Sequence, residues 1–263
     1  GSVAVMILEI DMFMLGKLIP IQNVAYYSVG IYIAAVIAVP ARAMHQIMYP
    51  LTATYINAQR YLELRDLYKK SSITLYAVSG LIFLLIICNI NTLYLMLDPA
   101  YSKGIYVVLL IALAKLIDNV MGNNNAILYN SDYYRLVLVL GIVLVVIAVV
   151  LNLIFIPILG ISGAAIATFV ASVVYALSKI YVVQKKFKMH PFTTESLYLT
   201  MVLILLGVGF YFWDFKWNPI LAIGGKSVIL GLIYLILIYR LKISTEINHW
   251  INTYLLTRKS RSE

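Results

Sequence analysis

Polar and ionisable side chains interrupt a stretch of sequence that is otherwise strongly apolar. In YVVLLIALAKLIDNVMGNNNAILYNS, residues 106–131, Lys115 and Asp118 precede three consecutive asparagines. At about 100° per residue, an unbroken helix would place Lys115, Asp118, Asn119 and Asn125 within about 120° of one another. The pattern predicts a helix with one apolar face and one polar face.

Two interpretations of that polar face remain open. Lys115 and Asp118, at i and i+3, could neutralise each other and hold neighbouring helices together. Alternatively, the face could line a path for a polar solute. An ionisable side chain near the centre of a membrane helix costs roughly 2.5–3.5 kcal/mol, so insertion alone does not prove a function.

A second polar cluster lies in IAVPARAMHQIMYP, residues 37–50. Pro40 and Pro50 each remove a helical hydrogen bond, so they predict a kinked segment of the kind that lines cavities in transporters. Between them, four polar residues share one face at i, i+3, i+4 and i+7: Arg42, His45, Gln46 and Tyr49. We expect this face to belong to the same lining as Lys115.

The elements that must position these residues are membrane-spanning helices. The chain of 263 residues is 63% hydrophobic and 12% charged, with a mean hydropathy of +0.93. Such a composition fits a protein whose outside faces lipid. Eight stretches are near the length of a span, at about 1–19, 24–48, 71–89, 104–130, 133–156, 161–183, 195–213 and 218–239. The predicted fold is therefore all-α, a polytopic transmembrane bundle of about eight spans.

Basic residues set the predicted orientation. Three cations lie on one side of the membrane: Lys17, Lys103 and Lys216. Fourteen lie on the other: Arg60, Arg65, Lys69, Lys70, Arg135, Lys179, Lys185, Lys186, Lys188, Arg240, Lys242, Arg258, Lys259 and Arg261. The positive-inside rule then places the second side, and the C-terminus, in the cytoplasm. This distribution explains most of the net charge of +9, so nucleic acid is not an expected partner.

Other features have less specific interpretations. Lys226 lies in AIGGKSVI, which lacks the first glycine of a phosphate-binding loop, and we expect its side chain to extend toward the membrane surface. Residues 60–70 and 245–260 are predicted to be amphipathic and interfacial. No metal-ligand spacing, nucleophile elbow or HExxH pattern occurs, so the sequence supports neither an enzyme nor a cofactor.

Three stretches resemble a known family. EIDMFMLGKL (9–18), VAYYSVGIYIAAVIAVPARA (24–43) and IPILGISGAAIATFVAS (156–172) are similar to the polysaccharide-transporter branch of the multidrug/oligosaccharidyl-lipid/polysaccharide exporters, and in particular to Wzx-type O-antigen flippases. The resemblance covers the chain as the later half of a family member. It implies a second six-helix lobe at 1–190, two additional spans at 191–243, and a cytoplasmic interfacial helix with a basic tail at 244–263.

The resemblance also implies a function. The expected activity is transport of a polyprenyl-diphosphate-linked oligosaccharide across the cytoplasmic membrane, for O-antigen or other surface polysaccharide. Arg42 and Lys115 would attract the diphosphate, and Asp11 and Asp118 would balance these cations or couple transport to an ion. The side chains expected to line the cavity and to contact the sugar are His45, Gln46, Tyr49, Asn119, Asn123 and Asn125.

Alternatives stay open at this point. An exporter of small cationic drugs in the same superfamily would favour acidic cavity residues. An integral-membrane enzyme acting on lipid-linked sugars would favour a large outer loop, whereas a non-catalytic scaffold would tolerate neutralisation of every charge within the spans. The expected partners are the lipid-linked substrate, membrane lipids, and either a missing N-terminal lobe or a second copy of the chain.

Overall fold

The computed structural model describes residues 2–213 and 218–253, with side chains from residue 10 onward. Every regular element in these residues is a helix, which confirms the predicted helical bundle. Eleven α-helices follow in order: α1 (Ser2–Leu18), α2 (Gln22–Ala35), α3 (Val39–Asn57), α4 (Tyr61–Tyr94), α5 (Ile105–Val120), α6 (Asn124–Tyr129), α7 (Tyr134–Leu159), α8 (Ile161–Phe187), α9 (Thr194–Tyr211), α10 (Pro219–Arg240) and α11 (Thr245–Ile251).

Seven helical stretches in the described residues are long and apolar enough to cross a membrane. They are Gln22–Asn57, Tyr61–Tyr94, Pro99–Val120, Tyr134–Leu159, Ile161–Phe187, Thr194–Tyr211 and Pro219–Arg240. Helix α1, with 17 residues, is at the lower limit of a spanning length. The chain is a multi-pass membrane protein.

One span bends at a short 3-10 turn. Residues Val36–Ala38 separate α2 from α3, and Pro40 lies in the first turn of α3. Pro40 has no backbone N–H, so the regular hydrogen-bond ladder is interrupted at this point. Pro50, in contrast, lies inside the continuous helix α3.

The span predicted at 104–130 is not one helix, which corrects the assumption behind its polar face. Helix α5 ends at Val120, and α6 begins at Asn124. Between them, Gly122 has φ +53°, a left-handed conformation that favours glycine. A Cβ atom at Gly122 would lie 2.6 Å from the backbone nitrogen of Ser72, so the turn also packs directly against α4.

The amphipathic segment at 60–70 leads into the third predicted span, and in the structure it forms the first part of the 34-residue helix α4. Its position at the membrane interface stays a prediction. Leu64 and Tyr68 are fully buried against residues of α6, α7 and α8, including Ile127 and Val183. Their apolar side chains therefore support the bundle, while Arg65 and Asp66 remain exposed.

Helices α9 and α10 dock on α4 through an apolar cluster that includes Leu84, Leu203 and Leu230. The Tyr234 hydroxyl donates a hydrogen bond to the Ala77 carbonyl at 2.6 Å. Lys226 of α10 is only 2% exposed, which corrects the expectation that it extends to the membrane surface. The proposed division at residues 190 and 243 stays a prediction.

Successive spans run in alternating directions, so each end of the bundle collects a defined set of turns. The basic end contains the turns between α3 and α4, α6 and α7, and α8 and α9. The opposite end contains the turns between α1 and α2, between α4 and α5, and between α7 and α8. Four of the residues used for orientation, at 216, 258, 259 and 261, lie outside the described residues, as does the predicted helix 245–260 beyond residue 253.

Candidate functional site

The four polar residues of α3 lie on an accessible face of the helix. Arg42 and Gln46 are exposed, whereas His45 and Tyr49 are half-buried. The rings of His45 and Tyr49 contact each other edge to face, with centroids 5.7 Å apart. The spacing predicted from the sequence therefore produces one continuous polar face.

The α3 face meets the charged residues of α5. Lys115 is half-buried and lies within electrostatic range of both Arg42 and Asp118. His45 interacts in the same way with Asp118 and approaches the backbone of Gly122. The structure thus brings the two predicted clusters together, although they are about 70 residues apart in the sequence.

Asp118 forms its ion pair with a residue that the sequence did not identify as part of this cluster. Its Oδ1 atom lies 3.4 Å from Nζ of Lys179 in α8. Among the described residues, no ion pair within 4 Å joins Asp118 to Lys115. Of the two interpretations left open by the sequence, the i,i+3 pair does not form in the described residues, and Asp118 instead contacts a different helix.

Lys179 is a buried cation and not a residue of a cytoplasmic connector, which corrects the orientation count. Its side chain is 1% exposed. Its ammonium group donates to Asn125 Oδ1 at 3.0 Å and lies 4.3 Å from the ring centroid of Tyr175. A buried ammonium requires such compensation, because transfer out of water without partners is very costly.

Three tyrosines complete the surroundings of Asp118. Tyr49 of α3, Tyr129 of α6 and Tyr175 of α8 lie close enough to Asp118 or to one another to interact electrostatically. They supply aromatic faces and hydroxyl groups in one region of the bundle. Sugar rings and hydroxyls can use both kinds of group.

We call this cluster the Asp118 site. Three cations and one carboxylate leave two positive charges in excess when His45 is neutral. The Asp118 side chain is 53% exposed, although it lies near the end of a helix that packs against α2, α4 and α8. The carboxylate of the site is therefore accessible from one side. The site comprises Arg42, His45, Gln46, Tyr49, Lys115, Asp118, Asn125, Tyr129, Tyr175 and Lys179.

Asn119 and Asn123 are not part of this lining, which corrects their assignment. Asn119 is 3% exposed, and its Nδ2 atom donates to the Ile37 carbonyl and to Ser79 Oγ, each at 2.7 Å. Asn123 is fully buried and donates to Thr52. Both amides therefore fix the break in the α5–α6 span against neighbouring helices.

Asp11 lies in a second, separate cluster, which we call the Asp11 site. Its carboxylate is fully buried and accepts from Tyr27 Oη at 2.7 Å and Asn152 Nδ2 at 2.6 Å. The hydroxyl of Thr168 also donates to it. Thr168 and Lys179 are eleven residues apart on α8, which separates the two sites by roughly 16 Å along the helix. Asp11 therefore does not balance the cations of the Asp118 site.

Sequence reasoning missed six residues of the two sites, and some of them carried a signal. Lys179 falls inside the predicted span 161–183 and could have been counted among the charges at membrane depth. Asn152 is a polar residue inside α7, the most hydrophobic of the spans. Thr168 closes the GISGAAIAT motif, which otherwise indicates only close packing of small residues. Tyr27, Tyr129 and Tyr175 are three of 21 tyrosines, so nothing in the sequence distinguishes them.

Comparison with known proteins identifies one family. The family model described as MatE matches residues 2–102. The match includes Asp11 and Arg42 and ends before α5, so it excludes Lys115, Asp118 and Lys179. No curated protein and no solved structure gives a significant match to the chain.

The MatE match covers less than half of the chain, and it makes that part similar to the exporter superfamily that the sequence motifs resemble. Members of this family are transporters and not enzymes. The match is equally compatible with a flippase and with a small-molecule exporter. The choice between these activities therefore depends on the chemistry of the two sites.

Proposed function

We propose that the chain belongs to a transporter that moves a polyprenyl-diphosphate-linked oligosaccharide across the cytoplasmic membrane for the synthesis of surface polysaccharide. The observation that carries this proposal is the excess of two positive charges in the Asp118 site. A diphosphate diester carries two negative charges, so Arg42 and Lys115 offer it matching cations. A third cation, Lys179, lies directly behind Asp118.

The remaining groups of the site suit the sugar portion of such a ligand. Gln46 and Asn125 provide amides, and Tyr49, Tyr129 and Tyr175 provide aromatic faces with hydroxyls. These groups bind through hydrogen bonds and stacking and do not require a charged partner. A polar ligand with a charged head and several hydroxyls therefore fits the site better than an apolar one.

The position of the site supports loading from the cytoplasmic leaflet. Lys179 lies eight residues before Phe187, or roughly 12 Å from the basic end of α8. The positive-inside rule places that end in the cytoplasm. A lipid-linked substrate made on the inner leaflet would therefore enter the site on the side where it is produced.

The Asp11 site is our candidate for ion coupling. Three neutral donors hold its carboxylate, and the Asn152 Oδ1 atom is buried with no hydrogen-bond partner in the structure. Oxygen atoms of a carboxylate, an amide and a hydroxyl are ligands for a hard cation, and a buried carboxylate can also take up a proton. Binding of either ion would change the packing of α1, α2, α7 and α8 together.

Arg42 and Gln46 are exposed on α3, so their face requires a polar cover within the membrane. An N-terminal lobe or a second copy of the chain would supply it. Repeat-built transporters bind substrates at the interface between two such halves. This arrangement would enclose the Asp118 site during transport.

Charge removal at the Asp118 site tests the proposal. The variants Arg42→Ala and Lys115→Ala, singly and together, should abolish or strongly reduce flipping of a fluorescent citronellyl-diphosphate-linked N-acetylglucosamine in proteoliposomes. Lys17→Ala and Lys103→Ala remove cations at the opposite end and serve as matched controls. If the Arg42→Ala/Lys115→Ala double variant flipped the substrate at the wild-type rate, the proposed function would be contradicted.

A second candidate is export of small organic cations. It is favoured by the accessible Asp118 carboxylate and its three neighbouring tyrosines, since aromatic groups and one anion attract cations. In that case Asp118→Asn should abolish efflux of a cationic dye such as ethidium, and Lys115→Ala should leave efflux intact or increase it. The flippase proposal predicts no ethidium efflux by the wild type.

A further inference from the structure

Lys179 is a fixed cation within the Asp118 site. Its ammonium group is buried and has three partners: the Asn125 oxygen, the Tyr175 ring and the Asp118 carboxylate. Only Asp118 carries a negative charge. Because a buried ammonium is very costly without compensation, Lys179 needs an anion beside it at every stage of a transport cycle.

Asp118 is a loosely held anion. More than half of its side chain is accessible, and its 3.4 Å contact is longer than the 2.7–2.9 Å typical of a strong charge-assisted hydrogen bond. The carboxylate can therefore turn toward its accessible side, whereas the buried Lys179 cannot follow it. Arg42 is exposed, and the half-buried Lys115 lies within electrostatic range of both Arg42 and Asp118.

We propose that Asp118 is a resident counter-anion for Lys179 that gives way to the anionic group of the substrate and returns to Lys179 when the substrate leaves. This inference rests on the proposed function. A transporter must bind its ligand strongly enough to load it and weakly enough to release it. A carboxylate tethered beside the cation competes at a high local concentration, so it weakens substrate binding and promotes release.

The proposal predicts opposite changes in affinity and turnover. We expect Asp118→Asn to bind P1,P2-dimethyl diphosphate on the order of tenfold more tightly, because a competitor of high effective concentration is removed. Flipping of the fluorescent citronellyl-diphosphate sugar should become slower by a similar factor, since release is impaired. Dissociation constants come from calorimetry on the purified protein in nanodiscs, and rates from proteoliposomes.

A double-mutant cycle distinguishes direct competition from a general effect of charge. In a Lys179→Gln background, Asp118→Asn should change the affinity for dimethyl diphosphate by less than about threefold, because the contact no longer exists. A tenfold increase in that background would show that Asp118 acts through the field of the site as a whole and would overturn the proposal. Asp66→Asn, which removes an exposed carboxylate of α4, is the matched control for both measurements.

The outcomes separate this proposal from the proposed function. If Arg42→Ala and Lys115→Ala weaken diphosphate binding but Asp118→Asn does not strengthen it, only the role of Asp118 is wrong. Tighter binding without slower flipping also overturns that role. If neither the wild type nor Asp118→Asn binds dimethyl diphosphate, both proposals are wrong. Should Asp118→Asn unfold, Asp118→Ser provides the same comparison with a smaller side chain.

Discussion

The Asp11 site and the Asp118 site each contain one aspartate, and helix α8 contributes to both. Asp11 is fully buried and is held by Tyr27, Asn152 and Thr168, which are all neutral. Asp118 is more than half exposed and is held by the buried cation Lys179. The same side chain is therefore placed in a dry site near one end of α8 and in an open site near the other.

This difference has consequences for what each site can do. In the Asp11 site, three donors converge on the carboxylate, so the arrangement has little freedom and suits a small ion or a proton. In the Asp118 site, one long contact holds the carboxylate, which is accessible, and the neighbouring Arg42 is exposed. Such a site can accept a large charged ligand without disrupting the core of the bundle.

The largest expected effect is a difference in the free energy of unfolding between Asp11→Asn and Asp118→Asn. Asp11→Asn should lower the free energy of unfolding by about 3 kcal/mol, because Tyr27, Asn152 and Thr168 each donate to the carboxylate, and a hydrogen bond to a charged group is worth about 1 kcal/mol more than one to a neutral group. Asp118→Asn should cost less, about 1–2 kcal/mol, because Lys179 loses its anion but the amide oxygen still accepts a hydrogen bond from it. Unfolding by sodium dodecyl sulfate in mixed micelles measures both. Equal losses would remove the proposed contrast between a dry site and an open one.

The next largest expected effect is a loss of stability at the turn between α5 and α6, which supports the Asp118 site. Gly122→Ala should destabilise the protein by about 2 kcal/mol, because a left-handed conformation is strained for alanine and its Cβ would meet the backbone of Ser72. Gly209→Ala, on α9, is the control, since no atom lies within 4 Å of its added Cβ. If both variants unfold at the same detergent concentration, the close contact between the turn and α4 is not important for stability.

The sequence was sufficient to predict the helical bundle and the polar face of α3. Spanning helices follow from long apolar runs, and the i, i+3, i+4, i+7 spacing holds because α3 is regular through Arg42 and Tyr49. The same reasoning fails at the α5–α6 span. Its geometry depends on Gly122 and on contacts with Ser72, about 50 residues earlier, which helical periodicity does not report.

The partners of the two aspartates could not be predicted from the sequence for a related reason. Lys179 is 61 residues from Asp118, and Asn152 is 141 residues from Asp11. Charges near the end of a predicted span are commonly placed in the adjoining loop, so Lys179 was assigned to a connector. Only the packing of α5 against α8 shows that its ammonium group points into the bundle.

Water accessibility gives a direct test of the contrast between the sites. Cys88, the single cysteine, is buried and can be replaced by alanine to provide a background for new cysteines. Gln46→Cys, at the open site, should react with a charged maleimide, since this position is exposed on α3. Asn152→Cys, at the dry site, should not react under native conditions and should react after unfolding. Rapid labelling of Asn152→Cys in the native protein would contradict the dry character of the Asp11 site.

The smallest expected effect separates binding from stability within the Asp118 site itself. Lys115→Gln should change the free energy of unfolding by less than about 0.5 kcal/mol, because Lys115 is half-buried and forms no ion pair within 4 Å among the described residues. Lys179→Gln should cost more, since it removes the partner of Asp118 and Asn125 in the interior. Both variants should weaken binding of dimethyl diphosphate. A loss of stability in Lys115→Gln as large as in Lys179→Gln would assign Lys115 to the framework of the bundle and leave the diphosphate without one of its two accessible cations.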